Sequence, residues 1–165
     1  MNSIELLAKG LKQGQDMLAM TLSDFSEAEM LMRPCPGANH PIWQIGHLCV
    51  AETFITSSIK PGSMPELPAG FKEKFENNKK TNLVDDPKQL ATKVQVMDLF
   101  AKTHGALIAF TKSLTDADLD KPAPEHFRKH FATVGETMMM QITHVTMHMG
   151  QIQVARRKLG KPVMF

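Results

Sequence analysis

Residues 141–151 read Gln-Ile-Thr-His-Val-Thr-Met-His-Met-Gly-Gln and place two histidines four positions apart in a segment with helical periodicity. On a helix, His144 and His148 are about 40° apart around the axis and one turn apart along it, so both imidazoles can reach one point. Neutral imidazole is the commonest protein ligand of transition-metal ions, which makes the pair a candidate for metal binding. The pair alone is not decisive, because histidines at this spacing also occur on solvated helices.

Helical periodicity extends outward from this segment over most of the chain. The sequence contains no tyrosine, no hairpin turn pairs and no persistent strand-like alternation. We predict four helices, over residues 3–22, 41–59, 86–114 and 133–159. Four helices of roughly 20 residues each are typical of a four-helix bundle. A chain of 165 residues is most simply one domain, so we predict a single domain over residues 1–165.

The predicted helix ends rest on local signals. Pro41 suits the first position of a helix. Residues 86–89 and 133–136 both have the spacing of a capping box, with Asp86 and Thr133 as the caps. Residues 60–85 contain several prolines and glycines, which predicts a long loop with one helical turn around residues 71–75. A second proline-containing connection is predicted over residues 116–131.

The composition argues against several classes of protein. Hydrophobic residues make up 42% of the chain and charged residues 22%, which is ordinary for a globular domain. A formal charge of +2 with scattered Lys and Arg does not favour nucleic-acid binding. No apolar run reaches the roughly 20 residues that span a bilayer, and the N-terminus has no signal-peptide pattern. Two cysteines without a CxxC spacing are typical of reduced thiols, so we predict a cytoplasmic protein.

Polar side chains occupy the middle of the apolar stripe on the last predicted helix. With His144 at 0° and about 100° per residue, His148, Gln141 and Gln151 all fall inside this stripe. The stripe itself comprises Met140, Val145, Met147, Ile152, Val154, Ala155 and Leu159. Burying such polar groups without partners costs about 1–3 kcal/mol each, so we expect each of them to have a partner.

The second predicted helix carries a third inward histidine. His47 and Gln44 share a face with Trp43, Leu48, Val50, Ala51, Phe54 and Ile55. Three inward histidines on two helices can converge on one ion, and three ligands leave a coordination position open, as in catalytic rather than structural sites. The alternative is that each histidine is an ordinary core residue that satisfies its hydrogen bonds within the protein.

The other histidines have different predicted roles. His104 lies in the apolar stripe of the third helix, which allows it to face inward; a role as a fourth ligand or as a partner of a ligand is the less favoured alternative for this residue. His40 precedes the second helix and is a candidate cap for it. His126 and His130 occupy a polar connection and are predicted to be solvated.

Other sequence features narrow the chemistry. Cys35 lies in a loop that could approach the histidines, whereas Cys49 is about 200° from His47 around the helix and is not expected to be a ligand. The 13 methionines are typical of core filler, although the run at residues 138–140 also resembles a soft-metal surface. Inward Asp and Glu and a Glu-x-x-His motif are missing, which argues against a di-iron centre. Phosphate-loop, dinucleotide and nucleophile-elbow motifs are absent.

Two segments of the chain together resemble the DinB-like (DinB/YfiT) family. The first is Trp43-Gln44-Ile45-Gly46-His47-Leu48, which follows the break Arg33-Pro34-Cys35-Pro36-Gly37, and the second is His144-Val145-Thr146-Met147-His148-Met149-Gly150-Gln151. The order of elements is similar over nearly the whole chain. The resemblance implies a four-helix bundle with a long crossover loop, often a homodimer. It also implies one divalent metal ion, variously nickel, zinc, iron or manganese, held by His47, His144 and His148.

The resemblance leaves two hypotheses for function. In the first, the protein is a metal-dependent enzyme that uses a small-molecule substrate, such as a transferase of a low-molecular-weight bacterial thiol (bacillithiol or mycothiol) or a hydrolase-like relative. Gln44, Gln141 or Gln151 would then orient a ligand imidazole or a bound water. In the second, the protein is a non-catalytic, stress-associated metal-binding or structural module without turnover. The near-neutral formal charge argues against nucleic-acid binding under both hypotheses.

Overall fold

The architecture is a bundle of helices. A computed structural model describes residues 1–77, 86 and 90–164. Six α-helices follow one another: α1 (Ser3–Leu22), α2 (Pro41–Ile59), α3 (Phe71–Phe75), α4 (Lys93–Lys112), α5 (Asp116–Leu119) and α6 (Val134–Lys158). Short 3-10 turns, Glu29–Leu31 and Glu125–Phe127, lie in the connections. Within these described ranges there is no strand, only an isolated bridge between Pro122 and Thr133. The predicted helical bundle is confirmed.

Local capping explains most of the helix ends. Helices α1 and α2 have the predicted bounds, and the short helix α3 occupies the turn predicted around residues 71–75. His40 caps α2 as predicted, because its Nδ1 accepts a hydrogen bond of 3.1 Å from the backbone N–H of Trp43. The Thr133 hydroxyl likewise accepts a hydrogen bond from the N–H of Glu136 at the start of α6.

Helix α4 begins later than predicted. Residues 90–92 are not helical, and the cap is Thr92, which forms a reciprocal capping box with Gln95. The predicted start at Asp86 is therefore wrong, and its proposed partner Gln89 lies outside the described residues. The start of α4 is fixed by tertiary contacts, because the Lys93 N–H donates to the Glu27 carboxylate at 2.9 and 3.0 Å. These long-range contacts left no signal in the local pattern.

Helix α2 lies at the centre of the bundle. It packs against α4, α6 and α3, while α1 packs against both α4 and α6. The α2 side chains from Pro41 to Gly46 are all buried, because α3 and the turn at Glu29–Leu31 cover the sides that the long helices leave open. The bundle therefore surrounds the half of α2 that carries His47.

The buried face of α6 is rotated from the predicted one. Its buried side chains are Val134, Thr137, Met138, Gln141, Val145, His148, Ile152, Ala155 and Arg156. This face is centred about 70° from His144 around the helix axis. The predicted inward positions of Met147 and Val154 are wrong, since these side chains are 50% and 47% exposed, and Gln151 is exposed as well. Phe54 on α2, also predicted to face inward, is 52% exposed.

A buried arginine fixes the end of α6. Arg156 is only 2% exposed and donates to the Asp24 carboxylate at 2.5 Å and to the backbone carbonyls of Thr21 and Pro162. The charge is balanced by Asp24, so burial is tolerated. This contact ties the last turn of α6 to the end of α1.

None of the described helices is both long enough and apolar enough to cross a bilayer.

Candidate metal centre

The three histidines predicted as ligands lie together between α2 and α6. Each of His47, His144 and His148 offers one ring nitrogen, and within the described part of the chain these nitrogens lie within 4.8 Å of one another. The Nε2 atoms of His144 and His148 are 3.1 Å apart. Two imidazoles bound to one tetrahedral ion have nitrogens about 3.3 Å apart, given metal–nitrogen bonds of about 2.0–2.1 Å. The spacing of the α6 pair suits a shared ion.

Hydrogen bonds orient two of the three imidazoles. His47 Nδ1 lies 3.1 Å from the carbonyl oxygen of Phe75, and His148 Nδ1 lies 3.2 Å from Oε1 of Gln44. Both oxygens can only accept, so each Nδ1 carries its hydrogen and donates it. The lone pair of each ring is then on Nε2, on the side of the cluster. Outer partners of this kind fix the tautomer and direction of metal-binding histidines.

Burial keeps the three imidazoles neutral. Burial lowers the pKa of His47. Burial, together with the charge of His47, lowers the pKa of His144 to about 4, and burial with the neighbouring histidines lowers that of His148 to about 3. At neutral pH all three rings therefore have a free lone pair, and a cation does not have to displace a proton. Three neutral nitrogen donors without a charged ligand fit a borderline divalent ion.

A comparison with known families identifies the group to which the chain belongs. The model of the DinB superfamily matches residues 11–152, which is most of the chain. The chain belongs to the DinB superfamily. The segments with the predicted ligands, at residues 43–48 and 144–151, both lie within the matched range.

A comparison with solved structures also finds a protein of similar fold. The chain is similar to a solved structure described as the conserved protein of a locus from Enterococcus faecalis, with a TM-score of 0.72 and 18% sequence identity. The alignment covers 98% of this chain and 99% of that one. No curated protein matches the sequence. At this identity the similarity shows a shared fold.

In this DinB-superfamily chain, an indole lies against one of the candidate ligands. The rings of Trp43 and His47 are parallel within 6° with centroids 4.8 Å apart. Trp43 is 3% exposed, so the stack is inside the protein. The stack restricts the plane of the His47 ring, while the Phe75 carbonyl restricts its rotation. His47 is therefore held from two sides.

The fourth histidine suggested as a ligand has another role in this DinB-superfamily chain. His104 is fully buried, with Nδ1 at 2.6 Å from Glu52 Oε1 and Nε2 at 2.9 Å from the carbonyl oxygen of Leu11. Both nitrogens have partners inside the protein, so His104 faces inward, as its position in the apolar stripe allowed, and is neither a ligand nor a partner of a ligand. The expectation that inward carboxylates are missing is wrong, because Glu52 is 1% exposed. His126 and His130 are exposed, as predicted.

The three candidate glutamines differ in their burial and in their hydrogen-bond partners. Gln44 is the partner of His148, whereas Gln151 is exposed and follows His148 by three residues on α6. Gln141 is buried and instead donates to the Thr56 hydroxyl at 3.4 Å. Gln44 is therefore the glutamine that orients a candidate ligand. The structure also adds the carbonyl of Phe75, a backbone group that no sequence motif could have indicated.

The two cysteines also differ. Cys49 is buried, and its burial, with the nearby Glu52, raises the pKa of the thiol. Cys49 is not part of the histidine cluster, as predicted. Cys35 is exposed, in the loop before α2.

The lowered histidine pKa values predict a loss of stability in mild acid. Between pH 6.5 and about 4 the unfolded chain binds protons that the folded His144 and His148 do not, so the free energy of unfolding of the metal-free protein should fall as pH falls. The slope is at most about 1.4 kcal/mol per pH unit for each histidine. We expect His144→Ala to flatten this dependence in urea titrations from pH 7 to 4.5.

A matched control for the pH experiment is His126→Ala. His126 is exposed and should leave the slope as it is in the parent protein. The raised pKa of His104 acts in the opposite direction, but it is common to all three proteins. Equal slopes for His144→Ala and His126→Ala would contradict the prediction.

Gly46 makes room for the element that holds His47. A Cβ at this position would overlap the ring of Phe75. We therefore expect Gly46→Ala to lower the free energy of unfolding by about 1–3 kcal/mol despite the better helix propensity of alanine. Displacing Phe75 also moves its carbonyl, which accepts a hydrogen bond from His47. The affinity of Gly46→Ala for a metal ion should therefore fall as well.

The control for Gly46→Ala is Gly105→Ala on α4, where an added Cβ meets no atom within 4 Å. This change should stabilise the protein by about 0.5–1 kcal/mol, as expected for alanine within a helix. Chemical denaturation and metal titration of both variants separate the steric effect from the general effect of replacing glycine. A Gly46→Ala protein as stable as the parent would exclude the close packing of Phe75.

Proposed function

We propose that this protein is a metal-dependent enzyme that holds one divalent first-row ion through Nε2 of His47, His144 and His148. The single observation that supports this most is the orientation of the rings: the Nδ1 atoms of His47 and His148 donate to protein oxygens, which leaves Nε2 as the donor toward the cluster. Nickel, zinc, iron and manganese are all compatible with such a site. The identity of the ion is decided by metal analysis.

Access to the cluster supports catalysis over a purely structural role for the ion. His148 is 5% exposed, while His47 and His144 are only partly buried. His144 lies at the edge of the buried face of α6 and is only partly buried, so the cluster keeps contact with solvent on that side. Three protein ligands would leave a coordination position for water or substrate.

The residues around the cluster have separable tasks. Gln44 and the Phe75 carbonyl hold the directions of His148 and His47, and the Trp43 ring restricts the plane of His47. A bound ion would act as a Lewis acid that lowers the pKa of a thiol or a water at its open position. Gln151 is exposed and follows His148 by three residues on α6, so its amide is available to donate a hydrogen bond to a substrate.

The reaction we propose is transfer of a low-molecular-weight thiol. The thiol gives its proton to solvent, its sulfur forms a bond to an electrophilic carbon of the second substrate, and the leaving group departs with the electron pair. The resemblance of the two histidine segments to the DinB-like family supports this choice, since characterised relatives include thiol-dependent transferases. The neutral histidine cluster supports it as well, because no fixed negative charge among the three ligands would repel a thiolate.

The experiment begins with the chelator-treated protein and each of the four ions in turn. Trp43 is the one tryptophan of the chain and stacks on His47, so its fluorescence should change when an ion binds. Conjugation of cysteine, bacillithiol or mycothiol to 1-chloro-2,4-dinitrobenzene is then followed by absorbance. We expect conjugation above the uncatalysed rate with at least one ion and its loss with chelator. An ion that binds without conjugation of any thiol would reject the transferase.

A non-catalytic metal-binding module is the second candidate. The observation that favours it is that no Asp, Glu or Cys joins the three histidines in the described part of the chain, so no neighbouring group is placed to accept a proton. This candidate predicts the same fluorescence change on metal binding and no turnover. Water-dependent ester hydrolysis, tested with the same metal-loaded protein, distinguishes it from the hydrolase-like alternative.

The proposal extends to the state of the protein in the cell. We propose a single-domain, cytoplasmic homodimer that binds neither nucleic acid nor membrane. The formal charge of +2 supports the absence of nucleic-acid binding, and the resemblance to the DinB-like family supports the homodimer. Light scattering of the purified protein tests the dimer.

A further inference from the structure

A cavity lies toward the end of the bundle that is far from the histidine cluster. It is enclosed by the last residues of α2, the end of α4 and the connection that leads from α5 to α6. Its volume is about 290 Å³, at the small end of the range for ligand sites in proteins. Ser58 lines it and lies roughly 16 Å along α2 from His47. The cavity is therefore separate from the candidate metal centre.

Backbone hydrogen bonds fix the wall that the connection forms. The N–H of Ala123 donates to the carbonyl oxygen of Ala132 at 3.0 Å, and the N–H of Val134 donates to that of Lys121 at 2.9 Å. These bonds tie the connection to the first residue of α6. Ala123 is fully buried and lines the cavity. The groups that this connection presents to the cavity are therefore positioned by the fold itself.

Positive charge exceeds negative charge in the lining. The charged side chains are three cations and one carboxylate: Lys60, Lys121, Arg128 and Asp118. Oδ1 of Asp118 accepts a hydrogen bond of 2.7 Å from Nζ of Lys121, and its Oδ2 accepts one from the Thr115 hydroxyl. These hydrogen bonds hold the pKa of Asp118 well below its usual range. Lys60 and Arg128 have no carboxylate partner in the described part of the chain, so two positive charges are available to a ligand.

Arg128 is held in a position to bind an anion. Its Nε donates to the carbonyl oxygen of Ala123 at 2.8 Å, which fixes the guanidinium at the cavity wall. Its two Nη groups form no hydrogen bond among the described residues, and together they make a planar fork that matches the two oxygens of a carboxylate. A guanidinium that is ordered before binding loses less side-chain entropy when the ligand arrives.

The remaining walls of the cavity are apolar. They comprise the buried side chains of Phe110 and Val134, together with Ile59, Leu114, Pro122 and Pro124. A hydrated inorganic anion gains nothing from such a surface, because it would lose water without burying apolar area of its own. An anion that carries a compact apolar body gains both the charge interaction and the burial. The walls and the small volume therefore favour an organic acid over free phosphate or sulfate.

We propose that this cavity binds a small organic carboxylate whose apolar body is about the size of a phenyl ring. The carboxylate oxygens accept hydrogen bonds from the Nη groups of Arg128 and from Nζ of Lys60, and the ring packs against Phe110 and Val134. None of the three candidate metal ligands lines the cavity. The site therefore does not depend on the proposed metal centre, and it can be tested with metal-free protein.

The probe is 4-fluorobenzoate, followed by fluorine NMR with the chelator-treated protein at pH 7 and low salt. Chelation ensures that the carboxylate does not bind to an ion at the histidines. We expect a saturable change of the fluorine signal with a dissociation constant below about 1 mM. Two controls should bind at least about tenfold more weakly: 4-fluorobenzamide, which has the same shape without charge, and inorganic phosphate, which has charge without an apolar body.

Three outcomes of this titration would count against the site. A signal that does not saturate up to about 10 mM 4-fluorobenzoate would overturn it, as would equal binding of 4-fluorobenzamide. Displacement of the probe by an equal concentration of phosphate would overturn the choice of an organic acid.

Three variants assign the binding to the cavity. Lys60→Gln changes an exposed side chain and should fold normally while weakening 4-fluorobenzoate about fivefold or more. Arg128→Lys keeps the charge but removes the planar fork, and it should weaken the probe at least about tenfold. The matched control is Lys129→Gln, which removes a neighbouring exposed cation that does not line the cavity and should leave the dissociation constant within about twofold of the parent value.

Far-ultraviolet circular dichroism and thermal melting check the fold of each variant. If Arg128→Lys does not fold, the comparison of Lys60→Gln with Lys129→Gln still decides the question. An equal loss of affinity in those two variants would show a general attraction to the basic surface and reject the site. Unchanged affinity in Lys60→Gln and Arg128→Lys would place the probe elsewhere and reject it as well.

Discussion

His148→Ala should weaken the binding of a divalent ion by more than about 100-fold, which exceeds the cost of losing an outer hydrogen-bond partner of a ligand. His148 is the least exposed member of the cluster. It lies 3.1 Å from His144 and is oriented by Gln44. Its removal leaves two imidazoles on different helices, His47 and His144, without the ring that lies between them and the core.

Competition with a chromophoric chelator measures this loss at pH 7. The matched control is His130→Ala, which removes an exposed histidine and should leave the affinity unchanged. The metal affinity of Gln44→Leu should lie between those of His148→Ala and His130→Ala, with a loss of about 10- to 100-fold relative to the parent protein. Metal affinity of His148→Ala within twofold of the parent protein would exclude the three-histidine site. The graded order of the three variants tests the geometry as well as the ligand.

The second large effect is expected away from the metal centre. Glu52→Ala should lower the free energy of unfolding by about 3–5 kcal/mol, as found when one member of a buried ion pair is removed. His104 and Glu52 are buried between α4 and α2 and are joined by a 2.6 Å hydrogen bond. Burial opposes the charge on His104, but Glu52 and the Leu11 carbonyl outweigh it and raise the pKa of His104. Without Glu52, His104 keeps an unpaired Nδ1 in the core.

A double variant distinguishes pairing from packing. Replacing both residues by apolar side chains, Glu52→Leu with His104→Phe, removes the polar groups together, and such changes are often neutral or stabilising. We expect the double variant to be more stable in urea denaturation than Glu52→Ala alone. A double variant that loses the sum of the two single effects would show that the two side chains act independently. His126→Ala, on the surface, should change stability by less than about 0.5 kcal/mol.

The fold could be predicted where local chemistry decides it. The bounds of α1 and α2 follow from periodicity and from caps such as His40, which act over three or four residues. The start of α4 could not be predicted, because two capping patterns compete there and the choice depends on Glu27, distant in the sequence. The rotation of α6 escaped prediction for a related reason. Its polar and apolar residues are mixed on several faces, and packing against α1 decides which face is buried.

The three histidines of the candidate site could be predicted from the sequence, but the hydrogen bonds that orient them could not. The four-residue spacing of His144 and His148 and the inward position of His47 were enough to predict that the three histidines lie close together. The partner of His47 is a backbone carbonyl, which every residue has and which no pattern can single out. The partner of His104 could not be predicted, because Glu52 lies about 140° from His47 around α2, outside the apolar stripe, and only the packing of α4 against α2 buries it.

Although it is short, helix α3 connects the crossover to the candidate metal centre. This helix of five residues contributes the carbonyl that fixes the tautomer of His47, although it belongs to none of the four long helices. Substituting the Phe75 side chain cannot remove that oxygen and can only shift it. Changes in the crossover can therefore adjust the direction of one metal-facing nitrogen while the long helices stay the same. In this architecture a short helix in the crossover can therefore alter the candidate metal centre while the four long helices keep their sequence.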